Sequence, residues 1–340
     1  MGWFSWIQQL FTADSSSHAA LSQYLSMLAG HAVNASGYVY PRWNAGGFYN
    51  VRWGPLIDQQ PHFILAIEAA AAVTGDLQWL ASVEAALDKV SGYMLRRGLN
   101  SSRASTPNVI PGVPAPGVFT TVSSGLSDGG EHATNWYDIV LFGGADAYVA
   151  AYAVDAMRAM ADVKSALGKN AEAAEYRRIL QLAKAAYSAA FWSDEAGYFC
   201  DWVDITGRRR LYGYADVQHL AIVFGIANKT QAHLVLKMVD GRYAELVRAF
   251  GLRRDDLWAT PSNFFPASYK DVVGGKSGPS SAAGPKYGDM PYYENGGSFF
   301  HSVGVCPACR AHVISLPMTP RYCCTTLILT ADPTPSISAA

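Results

Sequence analysis

The residues best suited to chemistry lie in a glycine-rich stretch from Ser124 to Gly144, which reads SGLSDGGEHATNWYDIVLFGG. Asp128 and Glu131 lie in it, among side chains that can stack on a ligand or hydrogen-bond to it. Two carboxyl groups, one protonated and one ionised, can donate a proton to a leaving oxygen and activate a water molecule. Glycosyl transfer to water is therefore the chemistry that this stretch predicts. The alternative is that Asp128 and Glu131 cap the following helix or its approach, because aspartate is common in caps and loops.

A second carboxylate for this chemistry is Glu294, in the stretch Pro291 to His301 that reads PYYENGGSFFH. It stands beside a glycine pair just before an apolar segment, as the first stretch does. Glu294 is thus the natural catalytic partner of Asp128 or Glu131. The alternative is that it only orders its own loop.

A third cluster, Val39 to Asp58, reads VYPRWNAGGFYNVRWGPLID and supplies flat aromatic faces together with hydrogen-bond donors. So many amphipathic aromatic side chains in one loop favour contact with a ligand such as a sugar ring. Asp58, at the start of the next helix, is either its N-cap or a group that binds sugar hydroxyls. The predicted ligand-contacting residues of the three clusters are Trp43, Asn44, Tyr49, Arg52, Trp53, Asp58, His132, Asn135, Trp136, Tyr137, Asp138, Tyr293 and Asn295.

Composition excludes several other functions. The net charge of -1 argues against a nucleic acid or an anionic membrane surface as partner. No predicted segment is apolar enough to span a bilayer, and the start of the chain does not resemble a signal peptide, so a cytoplasmic protein is expected. No cofactor is predicted, because the phosphate, dinucleotide and metalloprotease motifs are absent. A zinc site is not favoured either. The C-terminal cysteines form one CPAC motif and one adjacent pair, and two adjacent cysteines are poorly placed to be two tetrahedral ligands. These residues are Cys306, Cys309, Cys323 and Cys324, with His312 between them.

The elements that must position these residues are helices in repeating pairs. In each pair an almost wholly apolar helix precedes a half-polar one across a short turn, which predicts an inner and an outer helix. The pairs are Pro61–Thr74 with Gln78–Arg97, Ala145–Ala166 with Ala171–Phe191, and Tyr214–Ile226 with Thr230–Phe250.

Long connections join these pairs and carry the three clusters. They run from Asn34 to Asp58, Gly98 to Gly144, Trp192 to Gly213 and Gly251 to Gly297. The repeating order places them all on the face where the inner helices begin, and long loops in a compact domain usually carry a site. An open α-solenoid that binds peptides is the structural alternative, but solenoid loops are short and uniform.

At these residues the sequence resembles the (α/α)6-barrel glycoside hydrolases, which include trehalase, processing α-glucosidase I, glycogen debranching glucosidase and α-L-rhamnosidase. The resemblance covers roughly Asn34 to Phe300. Its main stretches are LIDQQPHFILAIEAAAAVTGD, NWYDIVLFGGADAYVAAYAVDAM, ALGKNAEAAEYRR, AYSAAFWSDEAGYFCDW, GYADVQHLAIVFGIA and PYYENGGSFF. It implies an all-α fold, the α/α toroid, with long loops on one face.

The resemblance also implies roles for particular residues. An acid commonly lies in a loop that reads like SG-x-D, and SGLSD ending at Asp128 is similar, although one extra residue separates Gly125 from Asp128. Glu131 is therefore a rival for that role. The base in several of these families is a glutamate near the last helices, and Glu294 is the nearest candidate.

The resemblance stops after Phe300. Residues 301–340 are rich in cysteine, threonine and proline and show no helical period, as a frameshift or alternative splice would leave. We therefore expect a barrel domain at 1–300, incomplete at its C-terminal side, and an irregular tail at 301–340. The expected function is an inverting, exo-acting glycosidase on an oligosaccharide or glycoconjugate. The alternative is a noncatalytic carbohydrate-binding or scaffold protein; the sugar and the oligomeric state stay open.

Overall fold

The computed structural model describes residues 15–49, 56–98, 135, 145–203, 207–250 and 263–265. Helices hold 68% of the described residues, so the expectation of a mainly helical fold is confirmed. None of the helices in these ranges is both long enough and apolar enough to cross a membrane. The helices are α1 (Ser15–His31), α2 (Gln59–Thr74), α3 (Leu77–Gly98), α4 (Ala147–Ala166), α5 (Asn170–Phe191), α6 (Ala215–Val223) and α7 (Lys229–Phe250).

Six of these helices form the three predicted hairpins, α2 with α3, α4 with α5, and α6 with α7. α4 and α6 are almost entirely buried and α2 is buried mainly in its N-terminal half, whereas the second helix of each hairpin alternates buried and exposed positions. Gly75 ends α2 in the left-handed conformation, and its N–H donates to Ala71 O at 2.9 Å. α6 ends at Val223, three residues before the predicted end at Ile226, because the chain turns at Phe224 and Gly225.

The inner helices α2 and α4 run parallel, as two contacts between them show. Near their N-terminal ends, the His62 and Tyr152 rings meet edge-on with centroids 4.4 Å apart. Six residues further along both helices, about 9 Å, Arg158 Nη1 lies 3.0 Å from Glu68 Oε1. Since the contacts advance together on both helices, the N-terminal ends of α2 and α4 lie on the same side of the molecule.

The described ranges also contain seven short strands, six of them within the predicted long connections. The remaining strand takes the first two residues of the predicted helix Ala145–Ala166, which therefore begins at Ala147. The strands are β1 (Arg42–Asn44), β2 (Gly47–Tyr49), β3 (Ala145–Asp146), β4 (Trp192–Ser193), β5 (Tyr198–Phe199), β6 (Trp202–Val203) and β7 (Arg209–Arg210). β1 pairs with β2, β4 with β5, and β6 with both β3 and β7, all antiparallel. Strands of two or three residues are too short to give an alternating hydrophobic pattern, so the sequence does not reveal them.

The described parts of the long connections lie at the end where the inner helices begin. Arg96, near the C-terminal end of α3, donates to Ser36 O at 2.7 Å. This end of α3 lies beside the start of α2 because the two helices form a hairpin. Asn135 donates to Asp146, just before α4, and residues 263–265 pair with residues 212–214 just before α6. These contacts agree with the expectation of a common loop-bearing face, which we call the N-terminal face.

The opposite end of the inner helices is held by a buried lysine. Lys164, in the last turn of α4, has a fully buried side chain. Its Nζ lies 2.6 Å from Glu84 Oε1, 2.7 Å from Asp88 Oδ1 and 2.8 Å from Glu172 Oε2. These three carboxylates belong to α3 and α5, so one ammonium group joins α4 to both neighbouring outer helices. We call this group the Lys164 cluster.

Candidate functional site

Buried carboxylates mark the start of each inner helix on the N-terminal face. Asp58 precedes α2, Asp146 precedes α4 and Asp216 lies in the first turn of α6, and all three are buried. The unpaired N–H groups and the positive end of the helix dipole stabilise negative charge at such positions. The N-terminal face therefore combines acceptor groups from three inner helices.

Tyr152 of α4 lies among these groups. Its ring also contacts those of Tyr148 and Phe224, with centroids at 5.0 and 5.4 Å. Burial raises the pKa of the Tyr152 hydroxyl well above its usual range, and the negative charges of Asp216, Asp58 and Asp155 add to that effect. This hydroxyl therefore stays protonated and lies within the field of carboxylates from all three inner helices.

His62, in the first turns of α2, extends the same buried cluster. Burial lowers the pKa of its imidazole well below the usual value, which keeps the ring neutral at physiological pH. A neutral imidazole can donate through one nitrogen and accept through the other. His62 therefore adds no positive charge beside the buried carboxylates.

Asp58 occupies the N-cap position of α2 but does not act as an ordinary cap. Its backbone has helical dihedral angles, and its side chain makes no capping hydrogen bond to the helix. One of its carboxylate oxygens, Oδ1, instead accepts from Gln59 Nε2 at 2.8 Å. Of the two roles that the sequence left open for Asp58, the side-chain cap is wrong.

Asp146 is the residue that caps α4. Its Oδ1 accepts the backbone N–H of Val149 at 3.0 Å, which is the usual N-cap bond. Its Oδ2 accepts from Asn135 Nδ2 at 2.8 Å, and both side chains are fully buried. The N-cap of this helix is thus filled by a residue other than Asp128 or Glu131.

Asp201 joins the loop before α6 to the start of α4. Its carboxylate accepts three backbone N–H groups, from Tyr212 at 2.6 Å, Gly213 at 3.0 Å and Tyr214 at 2.7 Å. Its own carbonyl accepts from Ala147 N at 3.1 Å. Burial raises the pKa of Asp201 to about 7, against the opposing effect of the three N–H donors. This carboxylate therefore fixes the start of α6 relative to the start of α4.

The segment 263–265 crosses the N-terminal face beside the start of α6. Phe264 N donates to Gly213 O at 3.1 Å, and Phe265 N donates to Tyr212 O at 2.9 Å. The Phe265 ring stacks on Tyr198 with centroids 5.2 Å apart, and the Arg242 guanidinium lies 4.8 Å from its centroid. The long connection after α7 is in this way held against the connection before α6.

The predicted site residues fall into three groups. Four have a described side chain: Asn44, whose Oδ1 accepts from Gly46 N at 2.8 Å within its own hairpin turn, Tyr49, which is exposed, and the buried Asp58 and Asn135. Trp43 lies in β1, but nothing is described of its side chain. Outside the described residues lie the remaining predictions: Asp128, Glu131, Glu294, Arg52, Trp53, His132, Trp136, Tyr137, Asp138, Tyr293 and Asn295.

The structure adds residues that the sequence analysis did not single out. They are polar or aromatic side chains in the first turns of inner helices: His62, Tyr148, Tyr152, Asp216 and His219. A signal for them exists in the sequence, because each is a side chain with a polar atom near the start of a helix that is mainly apolar. A buried polar group in such a helix needs a partner, so it indicates a position where several helices meet.

The Lys164 cluster is the one group of described carboxylates close enough together to hold a metal ion. The Lys164 ammonium already lies between these carboxylates at hydrogen-bonding distance, where a cation would otherwise bind. This cluster is also at the end remote from the N-terminal face. Its arrangement is that of a structural ion-pair network.

Comparisons with known proteins show similarity of fold and not of sequence. No protein-family model matches the chain, and no curated protein sequence matches it. Among solved structures, a GH78 family rhamnosidase of Bacillus sp. GL1 is similar over 68% of this chain and 23% of its own, with a TM-score of 0.50 and 16% sequence identity. The chain therefore shares a fold with part of a helical-barrel glycoside hydrolase.

Two further solved structures are similar at a TM-score of 0.49. A rhamnosidase from Klebsiella oxytoca with rhamnose bound is 14% identical, over 69% of this chain and 43% of its own. An uncharacterized conserved protein from Thermus thermophilus is 13% identical, over 75% of this chain and 70% of its own. The chain thus spans less than half the length of either rhamnosidase.

Proposed function

We propose that this chain is a glycoside hydrolase whose site lies on the N-terminal face. The observation that carries the proposal is that a buried carboxylate lies at the start of each of the three inner helices, at the end to which the described parts of the long connections return. The charges of Asp216 and Asp58 both act on Tyr152. Buried carboxylates accept hydrogen bonds from sugar hydroxyls and stabilise the positive charge that develops on the sugar ring. The fold shared with part of a rhamnosidase supports the same class of reaction.

In this proposal Asp128 or Glu131 is the general acid and Glu294 is the general base. The reaction inverts the anomeric carbon, which requires the two carboxyl groups to lie ~6.5–9.5 Å apart with a water molecule between them. Asp58 binds sugar hydroxyls, and the predicted tryptophans and tyrosines supply the stacking wall. The substrate is a terminal sugar of an oligosaccharide or glycoconjugate, and the closed six-hairpin barrel is part of the same proposal.

The first experiment measures hydrolysis by the purified full-length chain. A panel of 4-nitrophenyl glycosides should include the α-L-rhamnoside, because one structure of similar fold is a rhamnosidase. For any glycoside that is cleaved, proton NMR of the first product should show the anomer opposite to that of the substrate. Retention of configuration would contradict the inverting assignment. Thermal stabilisation by the free sugar without turnover would instead favour a noncatalytic carbohydrate-binding protein.

The second experiment tests the catalytic roles one residue at a time. The variants are Asp128→Asn, Glu131→Gln and Glu294→Gln, and the matched control is Asp240→Asn, an exposed carboxylate on the outer helix α7. Loss of the acid or the base should lower kcat by about 10²–10⁴-fold, whereas the control should retain wild-type kcat. The assignment is refuted if all three variants keep the activity of the control.

A further inference from the structure

Asn135 makes a contact that does not suit a ligand-binding residue. Its side chain is fully buried, and its Nδ2 donates to Asp146 Oδ2 at 2.8 Å. In the sequence it follows Glu131 by four residues and Asp128 by seven, so it belongs to the stretch that carries the proposed acid. The amide is therefore engaged with the protein itself.

Asp146 is a fixed attachment point for this amide. Its backbone pairs with Trp202 in the β3–β6 ladder, and the next residue, Ala147, donates to Asp201 O at 3.1 Å. Its second carboxylate oxygen caps α4 by accepting the Val149 N–H. Because the backbone and one oxygen are already fixed, the remaining oxygen presents a defined acceptor to Asn135.

We propose that Asn135 is a positioning residue, which ties the acid-bearing stretch to the N-cap of α4, and that it does not contact the sugar. The catalytic consequence rests on the proposed function, whereas the attachment itself rests on the observed hydrogen bond. A catalytic group that is misplaced by about 1 Å loses on the order of 100-fold in rate. Breaking the attachment should accordingly lower kcat much more than it raises KM.

The test exchanges the two side chains. Asn135→Asp alone places a second carboxyl group against Asp146 in a buried position, where two negative charges repel each other. The double variant Asn135→Asp with Asp146→Asn restores the bond in reverse, because the new amide at position 146 donates to the new carboxylate. The carbonyl oxygen of the amide at position 146 still accepts the Val149 N–H. Asn170→Asp, at the exposed start of α5, is the matched control for the same change of side chain.

Two properties are measured for these variants, the rate of hydrogen exchange and kcat. Asn135→Ala is included because it removes the donor without adding charge. Hydrogen exchange of the backbone amides at 135–149 should be faster in both single variants of Asn135 and return to the wild-type rate in the exchanged pair. On whichever 4-nitrophenyl glycoside the wild type cleaves, kcat should fall by on the order of 100-fold in Asn135→Asp and recover in the exchanged pair.

The possible outcomes separate this inference from the proposed function. Unchanged hydrogen exchange in both Asn135→Asp and Asn135→Ala would overturn the attachment. A raised KM in the exchanged pair, with normal exchange rates, would show that the amide binds the sugar and would overturn the positioning role. If the wild type cleaves no glycoside, the proposed function fails, and the exchange measurement alone then supports or overturns the attachment.

Discussion

Replacing Lys164 by methionine tests the ion-pair network at the end remote from the N-terminal face. Methionine keeps most of the length and volume of the buried side chain but removes its charge. Glu84, Asp88 and Glu172 would then lie together without a cation, although all three approach Lys164 Nζ within 2.8 Å in the native protein. The variant should therefore be less stable at neutral pH.

The size of this effect depends on how well water can replace the lysine. Removing one partner of a fully buried ion pair costs about 3–5 kcal/mol. Asp88 and Glu172 are 46% and 51% exposed and can be rehydrated, whereas Glu84 is only 14% exposed. The expected loss is therefore at the lower end, about 3 kcal/mol. This corresponds to a decrease in Tm of roughly 6–12 °C for a domain of this size.

The pH dependence separates the loss of charge from the loss of packing. The pKa of Glu84 is lowered by Lys164 and Lys169, so its contribution is present above its ordinary pKa of 4.5 and is lost as pH falls through the lower folded value. The pKa of Lys164 is raised by its carboxylate partners, so its contribution is complete below 10.5 and is lost only at higher pH. The full difference between wild type and variant should therefore be present at about pH 6–8.

Urea unfolding followed by circular dichroism from about pH 3.5 to pH 8 measures this difference. It should decrease as pH falls below about 4.5, because the wild type loses its ion pairs while protonation relieves the repulsion in the variant. Lys169→Met is the matched control, since Lys169 bonds to the same Glu84 but is 41% exposed, and it should lose less than about 1 kcal/mol. A difference of constant size across the pH range would refute the electrostatic reasoning.

Three other substitutions should also lower the free energy of unfolding. Arg158→Met removes the link from α4 to Glu68 and should cost about 2 kcal/mol, because the arginine is 21% exposed; differential scanning calorimetry at low and high salt should show it. Gly37→Ala should cost about 3 kcal/mol in guanidinium unfolding, because φ is 90° and a Cβ would lie 2.0 Å from Lys89 O, whereas a cost below about 1 kcal/mol would contradict this geometry. Asp201→Asn replaces one accepting oxygen by an NH2 group, so at least one of the three backbone N–H groups loses its acceptor; it should cost about 2 kcal/mol by urea unfolding, with unchanged stability as the contradicting result.

The helical hairpins were predictable because their pattern is local. Pro61–Thr74 is apolar on almost every side, whereas Gln78–Arg97 is apolar on one side only. Both patterns consist of residues three or four positions apart, so they can be read from a short stretch of sequence. Gly75 and Gly168 mark the turns for an equally local reason, since glycine adopts positive φ without strain. The direction of the loops follows from the order of such hairpins.

The buried polar positions were not predictable in the same way. Asp58 and Asp146 both precede inner helices, but the sequence pattern offered only Asp58 as an N-cap and placed Asp146 inside the helix predicted from Ala145. Only Asp146 makes the capping bond, whereas Asp58 accepts from the side chain of Gln59. Which role a carboxylate takes depends on the neighbours that other helices bring to it.

The amino-acid sequence by itself determined the helical hairpins and their turns, because hydrophobic period and turn chemistry act over a few neighbouring residues. Only the tertiary structure decided that Asn135 is bound to Asp146, that Lys164 joins three carboxylates, and that the charges of Asp58 and Asp216 both act on Tyr152. Those pairings join residues that are distant in the sequence, and their energy depends on burial and distance, which no local pattern encodes.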